Sequence, residues 1–398
     1  MSLSRRRLFD RAFSAPLHGE WIAARGREAA VAEGSLDYPQ QAARPAAASS
    51  NIIRIASNEN PLGPGQHVID VIVGKFPEAG RYPFNARERE PVLVKAISSK
   101  FGFNANQVVL GPGSGEILTN AVRAFTGPGK PLATAWPTFE NPRDTARKIG
   151  TEVRAVDLDR NLKIDIDKLV DASKGAGLVF FCNPNNPTAT VHGATTVADF
   201  VKRVRAASPD TVILIDEAYH DYVTDPSYKT AMDLAKSTPK VFVTRTFSKA
   251  YGMAGLRVGY AVGDAEVIAR LNEFRMPYAV NLPAIAAATT AIGNQAHIDQ
   301  EARRNTSVKA FTIKAFEQMG FKATDSHTNF IFVNINRPAA TFRDACREAG
   351  VMVGRDFPPY EKTHARISIG TQPEMERAVS IFRKVLGSTT TTANQARR

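Results

Sequence analysis

The chain is poor in the residues that make covalent or metallic staples. Only two of its 398 residues are cysteines, Cys182 and Cys346, and neither has the spacing of a metal ligand or redox pair. A chain this long can bury a core without disulfides, so both thiols are read as reduced core residues. None of the seven histidines forms an HExxH-type pair, which leaves no support for a metal site. Apolar runs all fall short of the roughly 20 residues that span a bilayer, and no membrane partner is expected. Acidic residues are outnumbered, 39 against 51 lysines and arginines, for a net charge of +12. The excess is scattered, with Arg5, Arg6, Arg7, Arg11, Arg25 and Arg27 near one end and Arg397 and Arg398 at the other. No basic helix interleaved with aromatics carries it, which argues against nucleic acid and for small anionic substrates.

Residues 1–50 read as an Ala- and Arg-rich leader or N-terminal arm closing in the linker-like "QQAARPAAASS". Its arginines could be a twin-arginine export signal, the periplasmic alternative, but the apolar stretch such a signal needs is replaced by charges. A cytoplasmic protein is the expectation. Residues 388–398 read as a disordered tail. Between the ends, short apolar runs alternate with amphipathic stretches such as 194–207, predicting an α/β fold with a mainly parallel sheet. The runs "QVVL" (107–110), "LVFFC" (178–182), "VILID" (212–216) and "VFVTR" (241–245) are nearly continuous rather than alternating, as in strands buried on both faces.

In such sheets ligands sit beyond the carboxyl ends of the strands, and four successive ends carry chemistry. After 107–110 comes "GPGSGE", a glycine turn opening a helix, which offers backbone N–H groups to an anion. After 178–182 comes "NPNNPT", whose X-Pro units fix a turn that presents amide side chains. Asp216 ends an apolar run where an unpaired carboxylate is costly, so it should meet a cation unless it merely caps a helix. After 241–245 come Ser248 and Lys249; a lone lysine there could simply snorkel to water. Taken together, a lysine, a buried acid and a phosphate cradle suit an aromatic aldehyde that carries a phosphate, namely pyridoxal 5'-phosphate, with Asp216 keeping the ring nitrogen protonated. Arg257 would join Ser248 and Ser114 at the phosphate, where a planar guanidinium binds bidentately.

The segments "SNENPLGP", "RYPFNARERE", "NPNNPT", "IDEAY" and "SKAYGMAGLRVGY" resemble the signatures of fold-type I pyridoxal-phosphate enzymes, specifically class I/II aminotransferases and, among them, the histidinol-phosphate aminotransferases. The resemblance spans roughly residues 51–388. It implies a large cofactor domain over 61–285 with a seven-stranded type of sheet, and a small α+β domain from 51–60 and 290–387. It makes Lys249 the lysine that bonds to the cofactor, Asp216 the ring-nitrogen partner, and Tyr219 and Asn186 donors to the ring oxygen. Ser114, Gly115 and Glu116 stand at the cradle with Ser248 and Arg257, Phe139 stacks on the ring, and Tyr82 reaches the cofactor phosphate of a second subunit. Arg366, Arg355 and Asn60 fall to the substrate. The implied reaction moves an amino group from a donor such as histidinol phosphate to a 2-oxo acid such as 2-oxoglutarate, within a homodimer. An aromatic aminotransferase, or a lyase or oxidase using the same cofactor, is the alternative. Two departures stand out: Ala189 replaces the usual glycine and Phe139 a more common tyrosine. The leader is also longer than usual.

Overall fold

The computed structural model describes residues 52–83 and 91–395, and side chains up to Leu386 and Gly387. The leader, its arginines and the end of "RYPFNARERE" lie outside the described residues. In chain order the strands are β1 (Ile53–Ile55), β2 (Val108–Gly111), β3 (Leu132–Trp136), β4 (Val153–Asp157), β5 (Leu178–Cys182), β6 (Val212–Asp216), β7 (Val241–Thr246), β8 (Gly259–Gly263), β9 (Lys322–Ala323), β10 (Phe330–Asn334), β11 (Val351–Val353) and β12 (His364–Ser368). Seven of them form the main sheet in the order β2-β8-β7-β6-β5-β3-β4. Its pairings are parallel except at β8, which is antiparallel to both β2 and β7.

The continuous apolar runs follow from this sheet being covered twice. Val179 and Phe181 of β5, Ile213 and Ile215 of β6, and Val241 and Val243 of β7 face one core. The intervening Leu178, Phe180, Cys182, Val212, Leu214 and Phe242 face another. Period-2 alternation therefore sorts side chains between two apolar faces rather than between core and water. Helices Ser114–Phe125 and Ala265–Glu273 contribute to the second face through Ile117, Leu118, Ile268 and Leu271.

A third core joins Ile53 and Ile55 of β1 to residues from the last quarter of the chain, including Ile331, Phe342, Val351, Ile367 and Phe382. There β1 pairs in parallel with β11, and β12, β10 and β9 form an antiparallel sheet. The 24-residue helix Gln295–Gln318 reaches two cores, placing Ile298 in the first and Val308 and Phe316 in the third. One expectation is corrected. The closing helix Gln372–Gln395 runs past residue 387, where a disordered tail was expected. Once a helix is nucleated, each further residue adds a bond at little cost, so a weakly helix-forming segment can continue it.

Candidate active site

The carboxyl ends of β5, β6 and β7 open into a cavity of about 640 Å³ lined by Ser114, Gly115, Phe139, Asn186, Asp216, Tyr219, Ser248, Lys249, Arg257, Arg355 and Arg366, among others. Register explains how distant positions meet. Cys182 stands opposite Asp216, and Asp216 opposite Thr244, so adjacent parallel strands deliver their last residues to one level.

Asp216 forms the floor. Thr244 donates to its Oδ1 at 2.8 Å, yet burial dominates and pushes its pKa up to about 6, with adjacent Glu217 adding to the rise and Lys249 opposing it. The carboxyl is thus placed for a cation. Lys249 Nζ donates to the carbonyls of Asn58 at 3.1 Å and Ser57 at 3.3 Å and lies 5.6 Å from the centre of the Tyr219 ring. Burial, reinforced by the positive charge of Arg366, lowers its pKa to about 8, a value at which the amine is a competent nucleophile and proton carrier near neutrality. Burial raises the Tyr219 hydroxyl above its ordinary range, so it stays protonated.

An anion cradle forms one end of the cavity. Helix Ser114–Phe125 starts after Gly113 with no side-chain cap, leaving its first N–H groups for a ligand. Arg257, itself at φ 57°, donates to Ala254 O at 2.9 Å, Pro112 O at 3.3 Å and Ser248 Oγ at 3.4 Å. Its guanidinium lies where a side chain at Gly113 would fall, 2.3 Å from an ideal Cβ. The glycine is required there by close approach as well as by its φ of 78°.

On the opposite side, Arg366 is buried. It donates to Asn186 Oδ1 and Ala56 O, both at 2.8 Å, while its Nε has no partner among the described residues. Burial lowers its pKa to about 10, offset in part by Tyr219. Arg355 is half exposed, with its guanidinium 4.4 Å from the Phe357 ring centre.

Two expected site residues stand elsewhere. Asn60 is buried but spent on backbone, donating to Ala250 O and accepting from Leu62 N, each at 3.0 Å. It shapes the loop after Lys249 rather than the cavity wall. Glu116 is turned away toward Asn120 and the backbone of Met276, and burial raises its pKa. Tyr82, expected to serve a second subunit, is 76% exposed in its own chain and packs at a tilt against Tyr278 with ring centres 4.8 Å apart. Ala189 does adopt the left-handed conformation, φ 63°, and keeps the turn through its N–H to Asn185 O at 2.8 Å. The strain of about 1–2 kcal/mol is comparable to the roughly 0.8 kcal/mol gained by burying its methyl completely.

Asn58 escaped the sequence reading. At φ 55° it donates through Nδ2 to the Tyr219 hydroxyl at 3.0 Å, receives the Ser368 hydroxyl on Oδ1 at 2.9 Å, and accepts Lys249 on its carbonyl. Asparagine tolerates the left-handed region better than most residues, and its place beside a proline-bearing turn was the available signal. Arg343, Arg347 and Glu140 also line the cavity without having been singled out.

The family model for aminotransferase class I and II matches residues 50–382. The chain belongs to this family. It is therefore a pyridoxal-phosphate-dependent transaminase. A curated relative, the histidinol-phosphate aminotransferase of Moorella thermoacetica, is 33% identical over 345 residues, covering 84% of this chain and 86% of the relative. Among solved structures, one from Erwinia carotovora atroseptica SCRI1043 superposes with a TM-score of 0.81 at 28% identity, covering 86% of this chain and 98% of the other. The histidinol-phosphate aminotransferase of Sinorhizobium meliloti, solved with pyridoxal-5'-phosphate, shares the fold at a TM-score of 0.78 and 23% identity, covering 85% and 91%.

The cavity fits the cofactor of this family on its own evidence. A cradle in which Gly113 leaves room for the Arg257 guanidinium suits a phosphate, the buried carboxyl of Asp216 suits a ring cation, and Lys249 is an amine whose pKa is lowered to about 8. No helix among the described residues is long and apolar enough to cross a membrane, and no group of three or more metal-binding side chains occurs among them.

Proposed function

We propose that this aminotransferase takes its amino group from a donor that bears an anionic group, a phosphate or a carboxylate, with histidinol phosphate the best candidate, and passes it to a 2-oxo acid such as 2-oxoglutarate. The observation that carries the reading is the pair Arg366 and Arg355 on the wall of the cavity that holds Lys249. Guanidinium groups are the side chains best suited to bind carboxylate or phosphate. The name of the Moorella relative points the same way.

In this reading Ser114, Gly115, Ser248 and Arg257 hold the cofactor phosphate, Asp216 holds the ring nitrogen, Tyr219 and Asn186 face the ring oxygen, and Phe139 covers the ring. When bound, pyridoxal phosphate supplies an electron sink for the bonds at the substrate's amine-bearing carbon. Lys249 would take the proton from that carbon of the donor and, in the second half-reaction, deliver one to the corresponding carbon of the acceptor; Asn58 aims it through its carbonyl. Arg366 fixes the substrate's anionic group, aided by Asn186. Tyr82, exposed within its own chain, serves the neighbouring subunit of a homodimer, whose two-fold symmetry makes the exchange reciprocal. A cytoplasmic setting accompanies this biosynthetic reading.

The test is a spectral series. The absorbance between 300 and 500 nm is followed while histidinol phosphate, glutamate, aromatic amino acids and arginine are added singly to the holoenzyme. Conversion to the aminated cofactor should be most efficient with histidinol phosphate. Efficient turnover of aromatic amino acids without it would give the substrate to the alternative, and failure of any donor to aminate the cofactor would point to a lyase or oxidase.

A further inference from the structure

Glu140 follows Phe139 and precedes helix Asn141–Lys148, on the cavity wall. Its carboxylate accepts from Nη2 of Arg355, joining the segment after β3 to the segment after β11. Arg355 is otherwise well placed for an incoming anion, since its Nη1 is held by Asp356 O at 3.0 Å and its plane lies near the Phe357 ring. Arg343 and Arg347, one turn apart on helix Ala339–Glu348, line the same cavity, and Arg343 is engaged by Asp356 and Asp344. The other two carboxylates on the wall are differently placed. Asp216 is at the floor bonded to Thr244, and Glu59 is 3.9 Å from Arg54. Glu140 is thus the carboxylate that occupies a guanidinium of the expected substrate pocket.

A ligand that brings its own distal anion to Arg355 must first displace the Glu140 carboxylate, giving up a charge-assisted hydrogen bond and leaving a like charge nearby. A ligand without a distal anion leaves the pair intact. Glu140 also bears on Arg366, whose charged form its carboxylate favours while Arg355 opposes it.

We propose that Glu140 is a specificity-determining residue that competes with the substrate's distal anion for Arg355, weakening distal dianions and monoanions alike while sparing ligands that have no distal charge. One cavity can then receive, in alternate half-reactions, a substrate that opens the Glu140–Arg355 pair and one that leaves it closed. That second statement rests on the aminotransferase reading; the competition itself does not.

The experiment compares two unreactive acids on the holoenzyme by titration calorimetry: glutarate, with a distal carboxylate, and butyrate, without one. In Glu140→Gln the Kd for glutarate should fall by about three- to tenfold, the scale of a half-exposed ion pair with a charge-assisted bond, and that for butyrate by less than twofold. In an Arg355→Met background the Glu140→Gln gain for glutarate should vanish, since the two residues act through one contact. Glutarate binding that is unchanged or weaker in Glu140→Gln, an equal gain for butyrate, or a gain that survives Arg355→Met would overturn the proposal. Glu140 makes no side-chain cap to its helix, so Glu140→Gln removes no capping bond; Glu140→Ala provides a second variant with the same expected direction. These titrations read the competition even if no donor proves to be transaminated.

Discussion

Arg366 and Asn186, 180 positions apart, meet through a 2.8 Å bond from Nη1 to Oδ1. One comes from the sheet of β12 and the other from the turn after β5, so the bond closes the substrate side of the cavity across the chain. Arg366→Ala should raise the KM for the best anionic donor by roughly 10² to 10³, the scale of losing a charge-assisted bidentate contact. An unchanged KM in steady-state assays would remove Arg366 from the substrate site.

Among the described residues that line the cavity, Lys249 is the one lysine. Lys249→Ala holoenzyme should show no mass increase after borohydride treatment, whereas the parent should gain one reduced cofactor per chain, and turnover should be lost almost entirely. A variant that still gains the mass would shift the attachment to another lysine.

Asp216 ties cofactor binding to pH. Its carboxyl in the free protein has a pKa of about 6, raised by burial, and only the ionised form pairs with a ring cation. Above pH 6 the carboxylate is available; as pH falls through 6 the proton competes, and cofactor affinity should drop by up to about tenfold per pH unit. Asp216→Asn should bind weakly at all pH values and lose this dependence. Equilibrium dialysis between pH 5 and 8 checks both expectations.

One residue past the end of β6, the chemistry is structural. Glu217 accepts from Nε and Nη2 of Arg245 at 3.1 and 2.8 Å, both side chains being buried. Arg245→Ala would strand a buried carboxylate, and should destabilise the fold by about 3–5 kcal/mol, visible as a large fall in Tm. Replacing both partners with apolar residues of similar volume should recover much of the loss.

Tyr82 tests the homodimer. Light scattering should give twice the chain mass, and mixing inactive Lys249→Ala subunits with Tyr82→Phe subunits under exchange should regain about one competent site per hybrid if the hydroxyl acts across the interface. Hybrids that form but show no gain would confine Tyr82 to its own subunit.

The sequence displayed the cofactor side of the cavity far better than the substrate side. Asp216 and Lys249 could be found because they end strands too apolar to carry charge without purpose, and the alternation of Leu178 to Cys182 between two cores explains why those strands read as continuous runs. β4 was harder to see, since its residues are only partly buried; β8 was hidden inside the glycine-rich segment after Lys249. The misplaced residues share one cause. Asn60 and Glu116 sit in the right motifs, but a motif does not say which way a side chain turns once a backbone carbonyl or N–H competes for it. Glu140 and Asn58 depend on contacts with Arg355 and Ser368, and no local pattern announces a partner from another part of the chain.

The hydrogen bonds of Asn58 also set an order of events during synthesis. Asn58 leaves the ribosome early, Lys249 later, and Ser368, which fixes Asn58 at both its N–H and its Oδ1, close to the end. Until Asn329, Arg366 and Ser368 emerge, the segment whose carbonyls receive Lys249 lacks its bonds to Asn329 Nδ2, Arg366 Nη2 and Ser368 Oγ, although the strands that deliver Lys249 and Asp216 are already complete. A nascent chain can therefore fold its main sheet without a finished site, and the full set of bonds around the lysine is completed only after the last quarter of the chain has emerged.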